Sequence, residues 1–333
     1  MPSRTVVTMS QINEIMWVVF IISIAALLIL DLGVFNRRAH VIRTREALLQ
    51  MTFFIISAII FNVGVYLYLG PTAGLEFTTG YLMELMLSVD NLFVIIMIFN
   101  SFGIPRKYQH KVLFYGILGA LVFRLTFVLV GVTLVETFEW VLYIFGVFLI
   151  YTAIKMVVGK EKKAVEPEQN LMVRFFRKFM RVTDDYHGDR FFVHMSDDSG
   201  KRLLWTTPMF IALLVIESTD IMFAVDSIPA ILGITTSTFI VFSSNAFAVL
   251  GLRSMYFALS NIMTLFCYLK YGLAGVLGFV GAKMLAGMFD VHVPVLTSLL
   301  IIVIILGVAI TASVIKTRHT AAWPLPTKRS GKD

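Results

Sequence analysis

Long apolar stretches recur along the whole chain, and they limit the fold more than any other feature of the sequence. Each has about 20 residues and few charges, which is the length that an α-helix needs to cross a bilayer. Because 58% of the 333 residues are hydrophobic and only 15% are charged, a soluble globular domain is excluded. The sequence predicts an all-α, polytopic membrane protein with about nine transmembrane helices. Their approximate ranges are 15–35, 50–69, 79–102, 112–133, 138–158, 206–228, 238–257, 271–287 and 297–315.

The basic residues predict the orientation of these spans. Most of the 28 lysines and arginines fall in alternate loops and in the C-terminal tail, whereas the N-terminus and the other loops contain only Arg4. Under the positive-inside rule, the N-terminus lies outside and the C-terminus lies in the cytoplasm. Basic cytoplasmic loops also account for the net charge of +7, so no nucleic-acid partner is expected.

Two aspartates lie in the middle of predicted spans. Asp90 and Asp220 each stand within the pattern Ser-x-Asp-x-x-Phe, and they are 130 positions apart. A carboxylate in hydrocarbon is costly unless a cation or another polar group pairs with it. The repeated pattern therefore predicts a duplicated ion site.

Basic residues within the spans keep nearly the same offset. Arg124 and Arg253 are 129 positions apart, and Lys155 and Lys283 are 128 apart. Spans three to five thus resemble spans six to eight, and an odd number of crossings makes the second unit inverted, as in many secondary transporters. The predicted organisation is an N-terminal two-span segment (1–78), a first three-helix repeat (79–158), a cytoplasmic loop (159–205), a second, inverted repeat (206–287), and a last span with a cytoplasmic tail (288–333).

Spans three and six also contain the candidate metal ligands. Carboxylate and amide oxygens are hard donors that suit Mg²⁺, Ca²⁺ or Mn²⁺. No histidine lies in a span, and the single cysteine, Cys267, lies at a span's edge. The predicted ligands are Glu84, Asp90, Asn91, Glu217, Asp220 and Asp226.

Helical geometry does not aim all of these ligands at one point. Glu84 shares a stripe with Asn91, and Glu217 shares one with Asp220, whereas Asp90 and Asp226 each lie six residues beyond an acid of their span and point elsewhere. Either the helices unwind near Asp90 and Asp226, or these two acids meet groups on neighbouring helices. Pro229 favours a break after Asp226.

The four basic residues within the spans are candidate charge partners for these acids. Arg124 and Arg253 lie deep enough to pair with a carboxylate when no ion is bound, and a purely structural salt bridge is an equal alternative. Lys155 and Lys283 are expected to extend toward opposite membrane surfaces.

The cytoplasmic loop is the largest soluble part of the chain. A basic amphipathic run at 173–181 is expected to lie on the inner leaflet. Two apolar runs around the polar turn 197–200 predict a β-hairpin. His187 and His194 could sense pH or capture metal, although histidines in a solvated loop usually do neither.

Longer motifs at 80–94, 217–230, 239–245 and 250–257, together with 182–188 in the loop, resemble the TerC family of integral membrane proteins, in particular its Alx-like branch. The resemblance covers nearly the whole chain. It implies export of Mn²⁺ across the inner membrane of a bacterium. The family takes its name from tellurium-resistance operons, and the resemblance also implies links to metal supply for exported enzymes.

The expected function is therefore a secondary transporter that exports Mn²⁺ in exchange for protons, with Mn²⁺ as substrate and no tightly bound cofactor. The alternatives are a membrane scaffold or metal-delivery partner for exported metalloproteins, or a tellurium-resistance component. An intramembrane enzyme that uses Asp90 and Asp220 as an acid dyad lacks a supporting motif, so no enzyme activity is expected. The sequence leaves open the coupling ion, the selectivity among Mn²⁺, Ca²⁺ and Fe²⁺, and the oligomeric state.

Overall fold

The structure is a computed structural model. It describes residues 9–31, 44–158, 181–183, 188–196, 202–259, 268–291 and 293–321. These residues contain ten α-helices and one β-hairpin. The helices are α1 (Met9–Leu30), α2 (Thr44–Leu69), α3 (Pro71–Phe102), α4 (Arg106–Thr137), α5 (Val141–Val158), α6 (Pro208–Leu232), α7 (Thr238–Leu250), α8 (Leu252–Leu259), α9 (Leu269–Ala286) and α10 (Val295–Ala321).

The prediction of an all-α polytopic membrane protein is confirmed. Within the described residues, eight helical stretches are long and apolar enough to cross a membrane, with α7 and α8 counted as one, and α1 contributes a shorter apolar helix. Each of the nine predicted spans coincides with one of these helices. Local signals fix the ends of α3: Pro71 lies in its first turn, and Gly103 ends it in the left-handed conformation with φ 65°, which glycine adopts without strain.

Helix α3 is continuous through Asp90, and α6 is continuous through Asp226 and Pro229. The alternative in which both helices unwind at these acids is therefore wrong. Pro229 is tolerated because α6 continues for only one more turn and ends at Leu232, so the missing proline donor affects only the last hydrogen bonds of the helix.

The seventh span is divided, which the sequence did not predict. Helix α7 ends at Leu250, Gly251 forms a turn, and α8 continues from Leu252. Nearly all side chains of both helices are buried. This divided span therefore forms the centre of the bundle.

The backbones of helices α5 and α9 lie close together. A β-carbon on Gly281 would lie 2.7 Å from the carbonyl oxygen of Gly146, and one on Gly278 would lie 3.8 Å from the β-carbon of Ala153. Small residues allow this approach, as they commonly do between helices in membranes.

Two further helix contacts match each other. Helix α3 packs against α7 as α4 packs against α6, and α3 and α6 also contact each other. An inverted repeat of α3–α5 and α6–α9 would produce such pairings. The repeat itself stays a prediction.

The soluble loop contains an antiparallel hairpin of β1 (Phe192–Ser196) and β2 (Arg202–Thr206), where the sequence predicted one. It contacts the membrane domain through Phe192, whose ring centroid lies 4.6 Å from that of Phe210 on α6. His194 is exposed on β1. His187 and the amphipathic run, apart from Arg181, lie outside the described residues.

Candidate functional site

A buried arginine on α4 joins three other helices in the middle of the bundle. Arg124 is 1% exposed. Its Nη1 donates hydrogen bonds to Glu84 Oε1 on α3 and to Asn245 Oδ1 on α7, the latter at 2.8 Å. Its Nε and Nη2 donate to the two carboxylate oxygens of Asp220 on α6, at 3.4 and 3.3 Å. We call Arg124, Glu84, Ser88, Asp220 and Asn245 the central network.

Glu84 is the most fully bonded acid of this network. Its Oε1 also accepts a hydrogen bond from Ser88 at 3.1 Å, and its Oε2 accepts one from Asn245 Nδ2 at 3.0 Å. Ser88 follows Glu84 by four residues and therefore lies one turn away on the same helix face. The predicted stripe of Glu84, Ser88 and Asn91 is buried, so it faces the bundle rather than lipid.

Asp220 is held more loosely. Its side chain is 12% exposed, compared with 4% for Glu84, and its hydrogen bonds to Arg124 are long for charge-assisted ones. One guanidinium faces two carboxylates, so the central network has an excess negative charge when both acids are ionised.

Glu217 adds a further carboxyl group one turn before Asp220. A β-carbon on Gly119 of α4 would lie 2.5 Å from its Oε2 and closer still to its Oε1. This Oε2 is buried and has no hydrogen-bond partner among the described residues. A buried, unpartnered carboxyl oxygen is costly in a protein interior, and a bound cation would remove that cost.

The six predicted ligands do not form one closed cage. Asn91 is buried, and Asp90 and Asp226 are partly buried. In the described part of the chain, no three His, Cys, Asp or Glu side chains converge closely enough to hold a metal ion. Instead, the Arg124 guanidinium lies between the carboxylates of Glu84 and Asp220.

The three other candidate charge partners lie away from this network. The prediction that Arg253 pairs with the acids of spans three and six is wrong. Arg253 lies on α8, which holds it next to Asp31, directly after α1, and the two form an ion pair. Lys283 interacts electrostatically with Glu76 near the start of α3. Lys155 is exposed near the end of α5, with its ammonium 5.9 Å from the ring centroid of Tyr151.

Sequence reasoning missed three polar residues. Asn245 belongs to the central network, Asp31 pairs with Arg253, and Glu76 accepts a hydrogen bond from Thr235 at 2.8 Å. A signal was present for Asn245, because an amide in the middle of an apolar span needs partners. Asp31 and Glu76 stand at helix ends, where an acidic residue is ordinary.

Residues 69–321 match the family model described as the integral membrane protein TerC family. The chain belongs to the TerC family. It is 46% identical over 304 residues to the uncharacterized membrane protein STKORF319 of Myxococcus xanthus, covering 91% of this chain and 93% of the relative. It is 40% identical to the putative membrane-bound redox modulator Alx of Photorhabdus laumondii, over 93% of this chain and 97% of the relative. The protein of that name in Escherichia coli K12 is also 40% identical, over 86% and 90%. No solved structure matches.

Proposed function

We propose that this TerC family protein is a secondary transporter that exports Mn²⁺ through the central network and Glu217. The observation that carries the proposal is the buried Glu217 Oε2, which lacks a hydrogen-bond partner among the described residues and lies one turn from Asp220. Several carboxyl groups with one fixed positive charge between them favour a cation at this position.

The donor chemistry supports a hard divalent ion. Glu84, Asp220 and Glu217 offer carboxylate oxygens, and Asn245 offers an amide oxygen. Such ligands suit Mn²⁺, Mg²⁺ and Ca²⁺ better than soft thiophilic metals. Among these ions, the choice of Mn²⁺ rests on the resemblance to the Alx-like branch.

Export requires an energy source. Moving a divalent cation outward against a negative interior is uphill by about 4.6 kcal/mol per 100 mV, since each charge contributes about 2.3 kcal/mol. The chain contains no phosphate-binding loop of the Gly-x-x-x-x-Gly-Lys type. We therefore propose exchange for protons, which lets the proton gradient drive metal outward.

A second candidate function comes from the relatives named as redox modulators. The chain has one cysteine, so it cannot form an internal disulfide. A redox effect would have to act through the transported metal or through another protein, as in the alternative of a metal-delivery partner or scaffold.

Uptake by everted membrane vesicles tests the proposal. An exporter accumulates Mn²⁺ in such vesicles when a proton gradient is imposed. Glu217→Gln and Asp220→Asn should each reduce accumulation about tenfold or more, because a carboxylate that contributes about 1.4 kcal/mol of binding changes affinity tenfold. Asp189→Asn, in the soluble loop, is the matched control and should accumulate normally. Vesicles that take up no Mn²⁺, or full uptake by both site variants, would contradict the proposal.

A further inference from the structure

We infer that Arg124 is a tethered cation: its guanidinium occupies the carboxylate site when no metal is bound, and a metal ion must displace it to bind. This inference rests on the proposed function, because it names what regulates that same site. The guanidinium contacts four oxygens, one from Glu84, one from Asn245 and two from Asp220.

The contacted oxygens are the ones that a hard divalent cation would need. Two carboxylates and an amide oxygen on three different helices surround one point, and Arg124 fills that point from a fourth helix. A metal ion and the guanidinium cannot both take up the same lone pairs of Glu84 and Asp220 at full strength. The two cations therefore compete, and the arginine has the advantage of being covalently attached.

Local geometry supplies a second position for the displaced side chain. Glu217 lies three residues before Asp220 on α6, so the two carboxyl groups share one face of that helix. Gly119 lies against Glu217, whose Oε2 has no hydrogen-bond partner in the described part of the chain. A change of rotamer can carry the guanidinium from Asp220 toward Glu217, which releases Asp220 and Glu84 for the metal without leaving a buried charge unpaired.

This competition accounts for the absence of a closed cage in the described residues. With the guanidinium in place, the carboxylates of Glu84 and Asp220 are separated by a bulky planar group rather than drawn around an ion. Arg124 thus neutralises part of the negative charge of the site when no metal is bound. It also weakens metal binding enough for the ion to be released on the opposite side of the membrane.

Charge-altering variants of Arg124 provide the test, with Arg253→Gln as matched control. Arg253 is also deeply buried, at 1% exposure, and it pairs with Asp31. Isothermal titration with MnCl₂ in lipid nanodiscs measures affinity, and vesicle uptake measures export. Arg124→Gln should bind Mn²⁺ at least tenfold more tightly than wild type while exporting more slowly. Arg124→Lys, which keeps the charge but loses the planar fork, should fall between the two, and Arg253→Gln should keep wild-type affinity.

A merely structural arginine would give the opposite result. If wild type binds Mn²⁺ and folded Arg124→Gln binds it no more tightly, the tethered-cation role is wrong. If wild type binds no measurable Mn²⁺ and Arg124→Gln does, the role stands, because the arginine outcompetes the ion.

A metal-free measurement separates this inference from the proposed function. In Arg124→Ala the site is open to free guanidinium, so millimolar guanidinium should raise the melting temperature of that variant and leave wild type, whose site is already filled by Arg124, unchanged. Stabilisation with no Mn²⁺ binding by any variant would keep the tethered cation and reject manganese as substrate. If guanidinium has no selective effect and no variant binds Mn²⁺, both proposals fail.

Discussion

Gly119 on α4 lies directly against the carboxyl group of Glu217 on α6. A β-carbon at position 119 would come within 2.5 Å of Glu217 Oε2, so Gly119→Ala must push the carboxyl group out of its place. The displaced group is the end of a flexible side chain, so it can move at little cost in stability. We expect Gly119→Ala to keep a near-normal melting temperature and to reduce Mn²⁺ uptake by everted vesicles.

Gly116→Ala is the control on the same helix. Its β-carbon would lie 3.5 Å from Ile216, which is ordinary van der Waals contact. We expect near-normal stability and uptake. Equal behaviour of the two variants would show that the position of Glu217 does not matter for transport.

Removing the acid that pairs with Arg253 should destabilise the bundle. Asp31→Asn leaves a buried guanidinium whose Nε and Nη1 already lack partners among the described residues. Losing one partner of a buried ion pair costs about 3–5 kcal/mol. The double variant Asp31→Leu/Arg253→Met should recover much of the loss of its two single variants, and thermal unfolding of Asp31→Leu, Arg253→Met and the double variant measures the coupling. Strictly additive effects would argue against the pair.

The α5–α9 contact should not tolerate a side chain at its closest point. Gly281→Ala places a β-carbon 2.7 Å from the Gly146 carbonyl oxygen, whereas Gly278→Ala places one 3.8 Å from Ala153. Because backbone cannot move aside as a side chain can, we expect only Gly281→Ala to lose stability, by about 1–3 kcal/mol. Thermal unfolding in detergent compares the two, and a Gly278→Ala variant that is equally unstable would refute this account.

Asn245 is expected to matter through its two hydrogen bonds. Asn245→Leu leaves Arg124 Nη1 and Glu84 Oε2 each without one partner, and a buried group left unsatisfied costs about 1–3 kcal/mol. Ser243→Ala is the control, since the Ser243 hydroxyl bonds only weakly, at 3.4 Å, to Ile240 of its own helix. Comparable melting temperatures for the two variants would contradict a role for Asn245 in the network.

The loop contact between Lys111 and Asp189 should be insensitive to pH near neutrality. Its hydrogen bond, 2.9 Å long, lowers the pKa of Asp189 below its ordinary value. A carboxyl group with a lowered pKa stabilises the fold above its unfolded value of about 4 and loses that effect only as the pH falls through the lower folded value. Asp189→Asn should therefore speed amide exchange at residues 188–191 equally at about pH 6 and pH 8, after correction for intrinsic rates. An effect confined to one pH would mean that another group titrates there.

Hydropathy located the nine spans because each span is a local property of the sequence. The contacts of the site are not local: Arg253 and Asp31 are separated by 222 positions, and Arg124 and Asn245 by 121. The sequence offset and the composition therefore indicated that both arginines lie near acids, but they did not predict which acids each arginine contacts. The break at Gly251 also gave no signal, because glycine is frequent in membrane helices and most glycines do not interrupt them.

The ion pair of Asp31 and Arg253 links the N-terminal part of the chain to the segment that matches the family model. The TerC family match begins at residue 69, yet Arg253 within it is neutralised by Asp31, which directly follows α1. The same helix places Trp17 against Phe239, with ring centroids 5.1 Å apart. A fragment limited to 69–321 would carry an uncompensated charge in its interior, so the smallest self-sufficient unit of this protein is larger than the segment by which its family is recognised.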